Sequence, residues 1–136
     1  MYSTYVASEI GQWCAILRES GKRYIQHACG HLRYILDTMK GQGIFAVESL
    51  SPPPTGNLPL AEARTMVGES LGIIGGIEPT RFLDLGMREL AEYVETVIGD
   101  GLPGPFVLAN SDSCPPGVTE EKFALVAKIA RELRKG

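Results

Sequence analysis

The sequence lacks the features that mark membrane, disulfide-rich and nucleic-acid-binding proteins. It has no apolar run near the roughly 18 residues that a membrane span requires. Its first residues lack the basic start and apolar core of a secretory signal. The net charge of -3 leaves no basic surplus of the kind that nucleic-acid binding requires, and we expect the basic residues near helix ends to be solvated. These absences predict a cytoplasmic protein that binds neither membranes nor nucleic acid.

The sequence also lacks the cysteines for a disulfide framework, because three cysteines cannot all pair within one chain. In a reducing compartment such thiols are packed as apolar side chains, ligate metals or act as nucleophiles. The chain has 136 residues, of which 44% are hydrophobic, enough to bury a core without crosslinks. We therefore predict a single domain over residues 1–136.

Stretches with apolar residues at helical spacing alternate with short apolar runs that are typical of buried strands. The predicted strands are residues 24–29, 44–47, 71–77 and 105–109. The predicted helices lie around residues 6–17, 32–39, 60–67, 87–98 and 120–133. This alternation favours an α/β fold with a parallel sheet covered by helices. Two architectures fit: a small open doubly wound sheet, or half of a (β/α)8 barrel, since a whole barrel needs ~250 residues.

Residues that can ligate a metal follow several of the predicted strands. His27 and Cys29 close the first strand, Glu48 closes the second, and Cys114 comes shortly after the fourth. The carboxyl ends of parallel strands meet at one edge, and residues two apart in a strand share a face. Two thiolates and an imidazole favour zinc, and three protein ligands leave one position open, as in catalytic zinc sites. Glu48 is a candidate for that open position in the resting state.

Each candidate also has a structural interpretation. Cysteine is often buried, and Cys14 lies in the apolar stripe of the first helix, so we predict that Cys14 belongs to the core. His31 follows Gly30 and is interpreted as a helix-start residue near the site. Glu78 precedes Pro79, and we favour a helix cap over metal ligation for its carboxylate.

At these residues the sequence resembles the uroporphyrinogen decarboxylase superfamily. The resemblance runs along essentially the whole chain and is carried by four segments: residues 27–30 (HACG), 43–48 (GIFAVE), 75–79 (GGIEP) and 106–121. The family fold is a (β/α)8 barrel, and the four segments look like its last four strands. The resemblance therefore implies a TIM-type half-barrel that corresponds to the C-terminal half of the family domain.

Within the superfamily, the His-x-Cys and late Cys pattern is similar to that of the zinc-dependent methyltransferases. These enzymes move a methyl group from a methylated corrinoid (a methylcobamide) to a thiol such as coenzyme M. The resemblance implies that His27, Cys29 and Cys114 are zinc ligands, and Glu48 matches by its place an additional carboxylate ligand. The implied partners are a thiol substrate and a corrinoid protein.

Two residues after the last strand, Asn110 and Asp112, are candidates for hydrogen bonding to the ligands or the substrate.

The decarboxylase branch is the alternative, but it has no zinc and usually shows Lys-Gly where this chain has Cys29 and Gly30. It also carries a Gly-His-Gly stretch where this chain has Ser-Asp-Ser at residues 111–113.

A half-barrel also leaves two strand edges open, and open edges template aggregation. We therefore expect the chain to form a homo-oligomer or to pair with a separate N-terminal half-barrel. A third interpretation of the function follows from this incompleteness: a zinc-binding half-barrel subunit without catalysis of its own.

Overall fold

The computed structural model describes residues 1–133 of the chain and shows four strands that alternate with helices. The strands are β1 (Ile25–His27), β2 (Ala46–Leu50), β3 (Gly72–Ile77) and β4 (Phe106–Asn110). The helices are α1 (Tyr2–Tyr5), α2 (Ala7–Glu19), α3 (Leu36–Gly41), α4 (Leu60–Val67), α5 (Pro79–Asp84), α6 (Met87–Gly101) and α7 (Glu120–Leu133). The last three residues of the predicted domain, 134–136, lie outside the described part. None of the described helices has the length and apolar character to cross a membrane.

The sheet is entirely parallel, as predicted, and its strands lie in the order β1-β2-β3-β4. Each strand therefore pairs with the next one along the chain. A doubly wound sheet reverses this order at a switch point, whereas a barrel keeps it. The observed order accordingly favours the barrel architecture over the open doubly wound one.

The core lies between the sheet and the helices that connect its strands. Val47 of β2 and Ile73 of β3 are fully buried there among the apolar faces of α3, α4 and α6. The two edge strands are less covered, since Ile25 of β1 is 48% exposed and Val107 of β4 is 55% exposed. Most residues of the two middle strands are thus buried, whereas the two edge strands are only partly covered.

Several predicted boundaries were wrong. β1 covers Ile25–His27 instead of residues 24–29, because only these three residues pair with β2. β2 covers Ala46–Leu50 instead of residues 44–47, because Glu48 and Leu50 pair with β3 although the polar residues Glu48 and Ser49 interrupt the apolar run. α3 begins at Leu36, four residues later than predicted. The preceding segment is held as a turn, in which the Arg33 backbone N–H donates to Asn57 Oδ1 at 3.2 Å and the guanidinium contacts Glu62. α1 and the short α5 are additional to the predicted helical stripes, although α5 begins at the predicted Pro79.

One buried arginine joins the loops at the amino ends of the strands. Arg64 of α4 is only 5% exposed, and its guanidinium donates to four carbonyl oxygens. The acceptors are Gly101 at 2.8 Å, Gly68 at 2.7 Å, Leu71 at 3.1 Å and Pro105 at 2.9 Å. Burial lowers the pKa of Arg64, since the charged form loses hydration. The side chain therefore serves as a fixed donor for backbone groups that have few alternatives.

Replacement of this donor should be costly. We expect Arg64→Met to lower the free energy of unfolding by about 3 kcal/mol, because buried carbonyls lose charged donors. Urea denaturation followed by circular dichroism measures the change. Arg88→Met is the matched control, since Arg88 is 91% exposed and its loss should cost less than about 0.5 kcal/mol. Equal stability of the two variants would contradict the interpretation of Arg64.

Candidate functional site

The carboxyl-end edge of the sheet brings two of the predicted ligands into contact. His27 is the last residue of β1, and Glu48 is its register partner on β2. His27 Nδ1 lies 2.5 Å from Glu48 Oε2. The His27 side chain is 62% exposed and that of Glu48 is 34% exposed, so the pair faces solvent. Glu48 lies inside β2 and does not close it, contrary to the prediction, and this position places its carboxylate beside His27.

The two predicted cysteine ligands lie at the same end of the sheet. The prediction that Cys29 closes β1 was wrong, because β1 ends at His27 and Cys29 lies two residues beyond it. Strand alternation therefore does not place the Cys29 side chain on the same face as that of His27. Cys114 lies in the loop between β4 and α7, with its Sγ 3.8 Å from the carbonyl oxygen of Pro115. Both thiols are free and exposed. Among residues 1–133, no three His, Cys, Asp or Glu side chains are close enough to hold a metal, so neither thiol joins His27 and Glu48 in such a group.

The other two predicted site residues shape the start of the loop that carries Cys114. Asn110 ends β4, and its Nδ2 donates to the carbonyl oxygen of Asp112. The Asp112 carboxylate accepts from the Ser113 backbone N–H at 2.7 Å. Asn110 also lines a cavity of about 340 Å³ between β4 and α7, together with Phe82 and Phe123. Asn110 and Asp112 therefore order this loop through local hydrogen bonds.

A buried serine that the sequence did not single out ties β2, β3 and β4 together behind the site. Ser111 Oγ donates to the Leu50 carbonyl at 2.7 Å and accepts from the Gly76 N–H at 2.7 Å. Ser49 donates in turn to the Ser111 carbonyl, with a left-handed φ of 73° at the register shift after Glu48. The glycines of β3 are the sequence feature that could have indicated this close contact. A Cβ on Gly75 would lie 3.1 Å from Ser111 Oγ.

The structural interpretations of the remaining candidates are partly confirmed. Cys14 is 3% exposed and belongs to the core, as predicted. His31 is exposed but does not start a helix, because α3 begins only at Leu36. Glu78 follows β3 and caps α5, accepting from the Arg81 N–H at 2.8 Å and from Thr80 Oγ1 at 2.5 Å.

The charge state of Glu78 follows from competing effects. Burial raises the pKa of this fully buried carboxyl, but hydrogen bonds from Thr80, the Arg81 backbone and Thr55 together outweigh burial and hold the pKa below its usual value. Within residues 1–133, Glu78 Oε1 has no hydrogen-bond partner. The carboxylate is therefore a charged, internal cap at the same edge as His27.

Comparisons with known proteins agree with this architecture. The model of the uroporphyrinogen decarboxylase (URO-D) family matches residues 1–133. Among solved structures, a methyltransferase from Methanosarcina mazei shares the fold with a TM-score of 0.77 at 15% sequence identity. That match covers 98% of this chain and 37% of the methyltransferase, so the chain spans little more than a third of its length. No curated protein matches the chain. The four parallel strands thus form part of a TIM barrel.

The cap predicts a pH-dependent contribution to stability. Because the pKa of Glu78 is lowered on folding, its contribution is fully present above the unfolded value of about 4.3 and is lost as the pH falls through the folded value. We expect Glu78→Gln to cost about 1 kcal/mol at pH 7 and progressively less below about pH 4. Urea denaturation across this pH range measures the difference. A cost that stays constant down to about pH 2 would contradict the assignment. Glu95→Gln serves as the control, because Glu95 is exposed and lies in the middle of α6, away from a helix end.

Proposed function

The chain belongs to the uroporphyrinogen decarboxylase family, and on that premise we propose that it acts in zinc-dependent methyl transfer from a methylated corrinoid to a thiol. The observation that carries the proposal is the contact of His27 with Glu48 at an exposed edge that also bears Cys29 and Cys114. The fold shared with a methyltransferase supports the same interpretation.

The contact prepares His27 for metal ligation. A carboxylate 2.5 Å from Nδ1 favours the tautomer with the proton on Nδ1, and the lone pair then lies on Nε2. Metal-bound histidines commonly donate their second N–H to a carboxylate in this way, which fixes the ring and raises its basicity. In this geometry Glu48 would position His27, which is an alternative to the role of resting-state ligand that the resemblance implies.

The donor set fits zinc. One imidazole and two thiolates are ligands that zinc prefers over magnesium and calcium, and His27, Cys29 and Cys114 supply them from one end of the sheet. Both thiols are exposed and lie in loops, whereas the third cysteine, Cys14, is buried in the core. Bound zinc would stabilise the thiolate form of a substrate thiol near neutral pH.

The chain's own residues would hold the metal and leave one ligand position open to the substrate. Asn110 and Asp112 order the loop of Cys114 and are our candidates for hydrogen bonding to the substrate. No general base is needed once the thiol is ionised, because a thiolate is itself the nucleophile. A separate protein would present the corrinoid at the exposed carboxyl-end edge of the sheet.

The open edges of the sheet support a proposal about assembly. The backbone edges of β1 and β4 are unpaired within residues 1–133, and both strands expose apolar side chains, Ile25 and Val107. On the flank of α2, Trp13 and Ile16 are 51% and 61% exposed. Four further parallel strands would close an eight-stranded barrel. We propose that a second copy supplies them, with β4 of each copy beside β1 of the other, and an N-terminal half-barrel is the alternative source.

Zinc binding tests the proposed ligands. We expect the purified chain to hold about one zinc ion, and Cys29→Ala and Cys114→Ala to lose most of it, because each removes a thiolate ligand. Atomic spectroscopy on dialysed protein measures the content. Cys14→Ala is the matched control, since it removes the buried cysteine and should keep the zinc.

Methyl transfer tests the proposed activity. We expect zinc-loaded protein and coenzyme M to remove the visible absorbance of methylcobalamin. Wild-type zinc content in both ligand variants would overturn the site. Zinc binding without methyl transfer would favour the subunit without catalysis of its own. Carbon dioxide release from uroporphyrinogen without zinc would instead identify a decarboxylase.

Closure by a second copy predicts a dimer of the 14.7 kDa chain. Multi-angle light scattering should give twice the monomer mass, and Val107→Lys should shift the mass towards the monomer, because the charge would lie at the proposed strand pairing. Tyr34→Lys is the control, since Tyr34 is 85% exposed and lies on neither edge strand. A monomer at high protein concentration would contradict the second copy and leave the N-terminal half-barrel as the source.

A further inference from the structure

A basic cavity lies at the opposite end of the sheet from the proposed zinc ligands. It has a volume of about 600 Å³ and is lined by residues at the starts of the strands, among them Tyr24, Phe45 and Pro105. Four cationic side chains line the same cavity: Arg18, Lys22, Arg23 and Lys40. No aspartate or glutamate of residues 1–133 lines it. In a chain with a net charge of -3, these cations form a local concentration of positive charge.

Three of the four cations are held by neutral groups. Arg18 Nη2 donates to the Gly43 carbonyl at 3.4 Å, and Lys40 Nζ donates to the Met66 carbonyl at 3.3 Å. The guanidinium carbon of Arg23 lies 4.7 Å from the ring centroid of Phe45. The ion pairs found in the described part of the chain all involve other cations. The positive charges at the cavity are therefore not neutralised by a carboxylate contact there.

Gly43 makes room for one of these cations. Its φ is +79°, and a Cβ at this position would lie 2.6 Å from Arg18 Nη2. The Arg18 guanidinium thus packs directly against the Gly43 backbone, and both residues line the cavity.

The helix dipole accounts for only part of this arrangement. Arg18 and Lys40 lie in the last turns of α2 and α3, where a cation is favourable. Lys22 and Arg23 lie beyond α2, outside the last turn in which that effect acts. Their convergence on one cavity costs repulsion among like charges, which a bound anion would remove.

We propose that this cavity binds a small organic phosphate. Guanidinium groups donate in a fork that matches phosphate oxygens, and ammonium groups add point charge. The volume of about 600 Å³ is that of a small-molecule site. Ile44, Phe45 and Pro105 line the same space and provide an apolar surface for the organic part. The site is separate from the zinc ligands and stands independently of the proposed methyl transfer.

The only tryptophan of the chain provides a reporter for binding. The Trp13 ring lies 6.4 Å from that of Tyr24, which lines the cavity. Titration of the whole chain with inorganic pyrophosphate and with ADP, at low and high salt, should change the Trp13 fluorescence saturably. We expect binding to weaken at high salt.

The variant Arg18→Gln with Arg23→Gln should weaken binding of both probes at least about fivefold. The matched control is Arg88→Gln with Arg131→Gln, which removes the same charge from exposed sites on α6 and α7. Lys22→Gln with Lys40→Gln repeats the test with the other two cations. Circular dichroism verifies that each variant is folded.

Tighter binding of ADP than of pyrophosphate would support an organic phosphate with an apolar part. The proposal is overturned if neither probe binds at low salt, or if the control variant weakens binding as much as the cavity variant. Binding of a single-stranded oligonucleotide in preference to both probes would overturn the small-molecule assignment.

Discussion

The parallel hydrogen bonding of β1 to β4 is the constraint on which the other features depend. Parallel pairing places all carboxyl ends at one edge and all amino ends at the other, so the chain has two chemically distinct rims. The register of β1 with β2 sets His27 opposite Glu48. Residues 21 positions apart in sequence thereby form a contact at 2.5 Å. The register is therefore necessary for the pair, and the parallel direction of the strands is necessary for the edge that the pair shares with the two thiols.

Buried polar side chains secure each rim. At the amino ends, Arg64 joins loops by donating to four carbonyl oxygens. At the carboxyl ends, Ser111 links Leu50 of β2 to Gly76 of β3, and Glu78 caps α5. Because an unpaired buried polar group is expensive, these contacts fix the backbone at both rims. The exposed side chains can then present functional groups on a rigid support.

Much of the fold was predictable because hydrophobic periodicity reflects burial. The strand β3 follows from an apolar run whose side chains are mostly buried, and the position of Cys14 in the core follows from the same kind of pattern. The strand β4 also follows from an apolar run, although its side chains are only partly buried at the edge of the sheet. The end of β2 differs from the prediction because Glu48 is polar yet paired with β3, and the pairing resumes at Leu50 after the irregularity at Ser49. The candidate site was predictable in residue identity, since ligands cluster after strands. Its geometry was not, because the direction of Cys29 beyond β1 and the loop of Cys114 depend on contacts distant in sequence.

The sequence by itself determined the parallel α/β class, the candidate ligands and the family resemblance, since these rest on residue type and spacing. Tertiary structure decided the strand order, the pairing of His27 with Glu48, the role of Ser111 and the convergence of four cations on one cavity. The physical reason is that local pattern records which side chains are buried. The contacts between distant segments arise only when strands take a particular register and the helices pack upon them.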